Sequence, residues 1–235
     1  MGKGILYGIG VGPGDPELMT LKAVRLIREC DMIAVPGKTR ESSVAYEIAS
    51  GAVEHLAEKA CLAIEMPMTK DAALLRKKHL EGCRRLTEVL DTGKNIAFLT
   101  LGDPTVYATY FYLHRLVEQA GYQAVIISGI PSFCAAAARL DLPLGEGRDK
   151  IHIIPSSYDL EAAADLPGTR VFMKAGKQMG TLKEKLLQQG GDIAMVERCT
   201  MAGERVFRTA EQIPEDAGYY SIVIARETGH DGSQL

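Results

Sequence analysis

The sequence predicts an α/β protein of two domains, each built from a β-sheet and the helices that pack on it. Over the first half, short apolar runs alternate with longer segments of helical periodicity, which is typical of a mainly parallel sheet. In the second half, three strand-like runs stand close together at 193–199, 204–208 and 219–226, which favours antiparallel pairing. The length of 235 residues fits one large domain or two small ones.

The first half contains the predicted N-terminal domain, residues 1–121. Apolar runs rich in β-formers predict strands, which lie at 4–10, 31–36, 96–101 and 123–128. Amphipathic segments between these strands predict helices, which lie at 21–29, 42–50, 71–90 and 105–119. Thr20 is the predicted N-cap of the first helix. We place the boundary near 121, so the last of these strands opens the second domain.

The second half contains the predicted C-terminal domain, residues 122–235. Helices are predicted at 131–140 and 181–189, and two further strands at 150–154 and 169–174. The tail at 228–235 is polar and predicted to fray. No low-complexity segment or internal repeat interrupts this pattern.

Charge and cysteine content exclude several classes of protein. The net charge of −3 gives no basic footprint for nucleic acid. The five cysteines and five histidines are scattered, with no Cys-x-x-Cys, so we expect reduced thiols and no protein-bound metal. The longest apolar runs, such as 96–99, fall far short of the ~20 residues of a membrane span. No secretory signal precedes the first strand, so a cytoplasmic protein is expected.

The first strand ends in a glycine-rich turn, GIGVGPGDP at 8–16. The dinucleotide fingerprint G-x-G-x-x-G fails in both registers, and no phosphate-binding G-x-x-x-x-G-K-[ST] is present. A nicotinamide oxidoreductase and a nucleotide triphosphatase are therefore disfavoured. Two interpretations stay open. The turn is either a tight connection with Asp15 as cap and Pro16 at the first helical position, or a bare backbone that a ligand approaches closely.

Two more turns of this kind follow later strands, at 102–104 (GDP) and at 128–132 (SGIPS). Ligands of open α/β sheets bind beyond the carboxyl ends of the strands, so glycines at several such ends predict a shared ligand cleft. The structural alternatives are an Asp103 N-cap with Pro104 at the first helical position, and simple close packing at the third turn.

These turns, in this order, resemble the tetrapyrrole methylase family, the S-adenosylmethionine-dependent enzymes of corrin and sirohaem synthesis. The segments that carry the resemblance are VGPGDPEL at 11–18, TLKA at 20–23, GDP at 102–104, the turn at 129–132 and VERCT at 196–200. Further segments are most similar to the branch that methylates the C20 meso carbon of precorrin-2 or of its cobalt complex, a step towards cobalamin. They are PMTKD at 67–71, FLTLGDPTVY at 98–107, YLHR at 112–115 and SFCAAAARL at 132–140.

The resemblance implies two α/β domains with S-adenosylmethionine in the cleft between them, a tetrapyrrole substrate and a homodimer. It also implies a set of cofactor-binding residues, which are Pro13, Leu101, Gly102, Asp103, Val106, Ser132, Phe133, Met173, Lys174, Cys199 and Ser221. Two positions depart from the family pattern. Pro131 replaces a hydroxyl residue and has no N–H, and Leu101 replaces a glycine.

The implied reaction is displacement at a sulfonium methyl by a carbon nucleophile, followed by loss of the C20 proton. Candidate groups for removing that proton are Asp103, Tyr107, Tyr219 and Tyr220, although tyrosines beside a strand are usually structural. Cations near strand ends are candidates for binding the substrate carboxylates, with solvated surface charge as the alternative. They are Lys38, Arg40, Arg148 and Lys150.

Two other functions stay open from the sequence. One is methylation of a different corrin intermediate or of a non-tetrapyrrole substrate. The other is tetrapyrrole binding without turnover, because no unmistakable catalytic residue stands out. The sequence also leaves open whether the substrate carries cobalt.

Overall fold

The protein is described from a computed structural model, which covers residues 2–155 and 160–227. The chain divides into two compact units, Met1–Pro131 and Ser132–Leu235, and each unit has one five-stranded sheet. The predicted boundary at 121/122 falls before the strand Gln123–Ile127, whereas the division lies after it. The reason is that this strand pairs in parallel with Ile5–Gly10 and so completes the first sheet.

The first unit alternates strands and helices. Its strands are β1 (Ile5–Gly10), β2 (Met32–Pro36), β3 (Ala60–Ile64), β4 (Ile96–Thr100) and β5 (Gln123–Ile127). Its helices are α1 (Leu21–Glu29), α2 (Val44–Ala52), α3 (Ala72–Leu90) and α4 (Tyr110–Gln119). The strand order is β3-β2-β4-β1-β5, and every pairing is parallel. All carboxyl ends of the strands therefore meet at one edge.

Helices cover both faces of this sheet, as a parallel sheet requires. One apolar cluster joins α1 and α2 to β1 and β2, and a second joins α3 and α4 to β4. Every residue of β4 is buried as a result. Thr20 caps α1 by accepting the Ala23 N–H at 3.1 Å, as the sequence predicts.

Two local features of the first unit differ from the predictions. Strand β3 was not predicted. The helix predicted at 105–119 begins only at Tyr110, because Tyr107 adopts a left-handed φ of 47° that an α-helix cannot contain. Asp103 is therefore not the N-cap of a helix.

The second unit has a mixed sheet. Its strands are β6 (Ile151–Pro155), β7 (Thr169–Met173), β8 (Asp192–Glu197), β9 (Arg205–Phe207) and β10 (Ser221–Arg226). Its helices are α5 (Ser132–Leu140), α6 (Leu160–Ala164) and α7 (Met179–Gln189), of which α6 was not predicted. The order is β6-β7-β10-β8-β9. Only β6 and β7 pair in parallel, so the antiparallel pairing predicted for the last three strands is confirmed.

The described residues contain neither a candidate membrane span nor a candidate metal cluster. None of their helices combines the length and the apolar character that a membrane crossing needs. No group of three or more His, Cys, Asp or Glu side chains among them is arranged to hold a metal ion. The tail at 228–235, predicted to fray, lies outside the described residues.

Candidate active site

The first two glycine turns are joined directly to each other. Gly12 and Gly102 form an antiparallel bridge, in which the Gly102 N–H donates to the Gly12 carbonyl at 2.7 Å and the Gly12 N–H donates back at 3.3 Å. Both residues adopt left-handed backbone, with φ of 79° and 69°, which glycine enters without strain. The turns after β1 and β4 therefore form one backbone unit at the carboxyl edge of the sheet.

Asp103 ties this unit to the third turn. Its side chain is buried, and Oδ2 accepts the Gly129 N–H at 3.0 Å. Oδ1 accepts both the N–H and the hydroxyl of Thr105, at 2.7 and 2.5 Å. One carboxylate thus fixes the ends of β4 and β5 relative to each other, as charge-assisted hydrogen bonds do well.

The three turns use glycine for two different purposes. A Cβ added to Gly129 would lie 2.2 Å from the Gly102 carbonyl oxygen, and one added to Gly10 would lie 2.6 Å from the Gly129 nitrogen. These two glycines permit backbone to pack on backbone. A Cβ added to Gly102 would meet only the Ile130 carbonyl oxygen, at 3.9 Å. Gly102 is itself buried, but the missing side chain leaves room beside its backbone that a ligand can use.

The other predicted residues of the first unit surround these turns. Pro13 is buried, while Leu101 and Val106 are half-buried, so this edge offers apolar surface next to bare backbone. Tyr107 is 48% exposed. Asp15 accepts the Glu17 N–H at 2.9 Å, and Pro16 begins the short helical turn that follows. The structural interpretation of the first turn is therefore confirmed for Asp15 and Pro16.

Strand register assembles the predicted residues of the second unit. Antiparallel β10 begins where β7 and β8 end, with Ile222 opposite Met173 and Ser221 opposite Glu197. The Lys174 N–H donates to the Ser221 carbonyl at 3.3 Å. Met173 and Ser221 are buried. Residues far apart in the sequence thus share one edge of the second sheet.

A buried glutamate fixes this edge, and sequence reasoning missed its role. Glu197 Oε1 accepts the Gly218 N–H at 2.6 Å, and Oε2 accepts from Arg205 Nε at 2.7 Å. The Ser221 hydroxyl donates to the Gly218 carbonyl at 2.5 Å. The turn that carries Tyr219 and Tyr220 is thereby held to the end of β8. Glu197 lies in the VERCT segment quoted for the resemblance, which was its only signal in the sequence.

The second edge also contains three left-handed residues that are not glycine: Lys174, Arg198 and Thr200, with φ of 61°, 53° and 61°. Such backbone is strained and clusters at functional sites. The Lys174 ammonium lies 5.6 Å from the centre of the Tyr219 ring. Tyr219 packs edge-on against Tyr220, with ring centres 5.3 Å apart. Burial, followed by the neighbouring Tyr219, raises the pKa of Tyr220.

Cys199 is buried between two of these strained residues. Burial raises the pKa of its thiol to about 11, and Glu204 adds to the effect. The thiol is therefore neutral at physiological pH and is a packing group rather than a nucleophile. Ser132 and Phe133 begin α5, with Phe133 buried and Ser132 half-buried.

The predicted substrate-binding cations lie at two different kinds of position. Lys38 and Arg40 follow β2, at the same edge as the glycine turns, but Arg40 already donates to Glu41 at 2.8 Å and to the Ala57 carbonyl at 3.0 Å. Arg148 and Lys150 precede β6, and the Lys150 carbonyl accepts from the first residue of β7. They lie at the opposite edge of the second sheet from Met173. Because a five-residue strand separates the two edges by roughly 16 Å, this placement argues against their predicted role.

The chain is a two-domain α/β protein in which candidate residues gather at one edge of each sheet, and comparison with known proteins identifies its family. The family model of the Tetrapyrrole (Corrin/Porphyrin) Methylases matches residues 5–214. The chain belongs to this family.

Individual relatives are more specific. The chain is 38% identical to the probable cobalt-precorrin-2 C(20)-methyltransferase of Methanocaldococcus jannaschii, over 86% of this chain and 85% of that protein. It is 30% identical to the precorrin-2 C(20)-methyltransferase of Sinorhizobium sp, over 95% of this chain and 96% of that protein. Its fold matches the uroporphyrin-III C-methyl transferase of Thermus thermophilus complexed with S-adenyl homocysteine. That match has a TM-score of 0.69 and 22% identity over 95% of this chain and 92% of the other.

Proposed function

We propose that this chain transfers a methyl group from S-adenosylmethionine to C20 of precorrin-2 or of its cobalt complex, in cobalamin biosynthesis. The observation that carries the proposal is the open, left-handed backbone at Gly102, on an edge that Asp103 holds in place. The names of the relatives at 38% and 30% identity support the substrate and the position of methylation.

The residues of the first unit fit the amino-acid end of S-adenosylmethionine. Gly102 has no side chain, and no heavy atom lies closer than 3.9 Å to the position that its Cβ would take, so the ligand can approach the turn closely there. Pro13, Leu101 and Val106 would flank it with apolar surface. Asp103 would act by holding the turn, since both of its oxygens already accept hydrogen bonds.

The residues proposed for the adenosine end belong to the second unit, and Ser132 and Phe133 would lie beside the cofactor. Met173, Cys199 and Ser221 are buried groups at one sheet edge, and Lys174 adds a cation there. A neutral thiol and a buried methionine suit the apolar faces of a nucleoside.

S-adenosylmethionine supplies, when bound, a methyl group on a positively charged sulfur. The chain itself would contribute alignment, which can lower a barrier by about 7–11 kcal/mol when the reacting groups are held in place. The Gly12–Gly102 bridge and the Asp103 carboxylate are suited to this because they connect three strand ends without flexible side chains.

The chain also has to provide for loss of the C20 proton. The raised pKa keeps the Tyr220 phenol protonated at neutral pH, so Tyr220 would donate a hydrogen bond rather than take the proton. Asp103 fits a positioning role, because both of its carboxylate oxygens already accept hydrogen bonds. A phenol could take this proton only after losing its own, so Tyr107 and Tyr219, both about half exposed, are proposed to bond solvent water that carries the proton away. Homodimer formation stays a prediction of the resemblance, and a cytoplasmic location stays a prediction from the sequence.

Mass spectrometry of the tetrapyrrole tests the proposal. The protein is incubated with S-adenosylmethionine and either metal-free precorrin-2 or its cobalt complex, and the Gly102→Val variant is the inactive control. One added methyl group at C20 is expected, and the faster substrate identifies the physiological form. A folded protein that binds S-adenosylhomocysteine but methylates neither substrate would contradict the proposal, and would favour another corrin intermediate or a binding role.

A further inference from the structure

A cavity of about 190 Å³ opens beside the carboxyl ends of β2 and β3 in the first unit. The residues Lys38 and Glu65 lie on its strand side, and Lys78, Glu81 and Arg85 project from α3 on the other side. None of these groups except Lys38 was predicted to bind a ligand. The cavity thus has a charged rim contributed by two separate elements.

The charges around this cavity do not balance. Lys78 is neutralised by Glu65 at 2.8 Å and lies 3.4 Å from Glu81. Within the described part of the chain, neither Lys38 nor Arg85 has an ion pair with a carboxylate. Three cations therefore face two carboxylates, and one further negative charge would neutralise the site.

Arg85 is already oriented for such a charge. Its side chain is half-buried, and Nη1 donates to the Ala63 carbonyl at 2.7 Å, which fixes the guanidinium at the end of β3. A guanidinium has five N–H donors in a rigid plane, so anchoring one of them leaves others to grip a carboxylate. Lys38 is exposed on the opposite wall and supplies a mobile charge.

The lining of the cavity is mostly polar, with a small apolar part at its floor. Ala63 and Ile64 line it, and α3 approaches so closely that a Cβ on Gly82 would lie 2.8 Å from Ile64 Cγ2. A cationic rim beside this small apolar part suits a carboxylate on a short aliphatic chain. A compact, fully hydrated inorganic anion would gain nothing from such a floor.

The position of the cavity connects it to the methylation site. Strands β2 and β4 are adjacent and parallel, so the turn with Lys38 and the turn with Gly102 leave the same edge. We propose that this cavity is a carboxylate-binding subsite, in which Lys38 and Arg85 hold one acidic side chain of the macrocyclic substrate. The inference rests on the proposed function, because it assigns the carboxylate to that substrate.

The test measures binding of the cobalt complex of precorrin-2 in the presence of S-adenosylhomocysteine, where no turnover occurs. Lys38→Gln removes one charge, and Arg85→Lys keeps the charge but loses the planar fork. Arg84→Lys is the matched control, because Arg84 immediately precedes Arg85 in α3 and pairs with Glu88 on the exposed face. Affinity for the macrocycle is expected to fall about tenfold in each cavity variant and to stay unchanged in the control. Affinity for S-adenosylhomocysteine should be equal in all four proteins.

Two further arms identify the source of the carboxylate. A macrocycle with esterified side chains should bind wild type and Lys38→Gln equally, because it lacks the group that Lys38 recognises. Propionate alone should not bind the cavity at millimolar concentration. Wild-type affinity for the acid macrocycle in both cavity variants would overturn the proposal, and so would tight binding of free propionate.

Failure of the methylation assay is a separate result. If the wild type binds the macrocycle, shows the tenfold loss in the variants, and transfers no methyl group, the subsite stands and the proposed reaction fails.

Discussion

In each unit a buried carboxylate holds the strand ends in place, but the backbone around that carboxylate differs between the two units. In the first unit the left-handed positions at Gly12 and Gly102 are glycines, which are unstrained there. In the second unit Lys174, Arg198 and Thr200 adopt the same backbone, at about 1–2 kcal/mol for each residue that has a Cβ. The first edge therefore presents bare main chain, and the second presents side chains on a strained main chain.

The buried carboxylates of the two units, Asp103 and Glu197, also differ in the groups that donate hydrogen bonds to them. Within the described part of the chain, Asp103 accepts from two backbone N–H groups and a hydroxyl of the first unit. Glu197 shares its charge with Arg205, whose side chain is 51% exposed. The contrast indicates that the first edge is specialised for close approach of a ligand to the backbone. The second edge relies on side chains and can tolerate more substitution.

Gly129→Ala should give the largest effect on stability. The new Cβ would overlap the Gly102 carbonyl oxygen and the backbone of Gly10, neither of which can move without breaking the edge. A loss of at least about 3 kcal/mol in the free energy of unfolding is expected by urea denaturation. Gly180→Ala in α7 is the control, because its Cβ would meet nothing closer than 3.8 Å. Equal stability of the two variants would show that the backbone contact does not constrain the first edge.

Gly102→Val should separate binding from folding. Its Cβ would meet nothing closer than 3.9 Å, so the main loss of stability is left-handed strain, at least about 1–2 kcal/mol and more for a β-branched side chain. The isopropyl group should fill the ligand approach, and binding of S-adenosylhomocysteine should be abolished in isothermal titration calorimetry. Normal affinity in this variant would remove Gly102 from the binding site.

Asp103→Asn should destabilise the protein more than Glu197→Gln. An asparagine retains one oxygen and turns an NH₂ group towards an N–H or O–H donor, which costs about 1–3 kcal/mol in a buried site. A glutamine at 197 keeps the acceptor for Gly218, and Arg205 is exposed enough to turn to solvent, so about 1 kcal/mol is expected. Thermal unfolding of both variants measures the difference. The reverse order would indicate that the second edge is the more constrained one.

The smallest effect concerns acid stability at the second edge. Burial acts to raise the pKa of Glu204, but the Thr200 N–H and the Arg139 guanidinium outweigh burial and hold that pKa below the usual 4.5. A lowered carboxyl pKa stabilises the fold above 4.5, and this stabilisation disappears as the pH falls through the lowered value. Because Arg139 is half exposed, the contribution should be below about 1 kcal/mol.

Urea unfolding between pH 7 and pH 3 tests this pH dependence. Glu204→Gln should flatten the loss of stability below pH 4.5, while Glu215→Gln at an exposed position should leave the profile unchanged. Identical profiles for the wild type and Glu204→Gln would mean that the contacts of Glu204 contribute nothing to folding.

The sequence predicted correctly those elements that depend on interactions between residues close together in the chain. Helix α1 has the predicted bounds, because its apolar period and its Thr20 cap are both local. Strand β3 escaped prediction because its small residues Ala60, Cys61 and Ala63 also suit a helix. It becomes a strand by pairing with β2, which lies more than twenty residues earlier in the chain.

The candidate site shows the same difference between local and long-range interactions. The glycine turns were recognisable because glycine and proline mark turns locally. The partners of Asp103 and Glu197 were not, because Gly129 and Gly218 reach them only through strand order and register. Register also places Arg148 and Lys150 at the far edge of the second sheet, although their spacing from a strand resembles that of Lys38.

The central position of β1 has a consequence for synthesis on the ribosome. Its two neighbours are β4 and β5, whose residues Ile96 and Gln123 pair with the start of β1. The first strand to emerge must therefore wait, unpaired, until about half of the polypeptide has been translated. A nascent chain that stops before Gly129 lacks the last N–H that Asp103 accepts. Ordering of the Gly102 turn would thus mark the moment at which the first unit is complete.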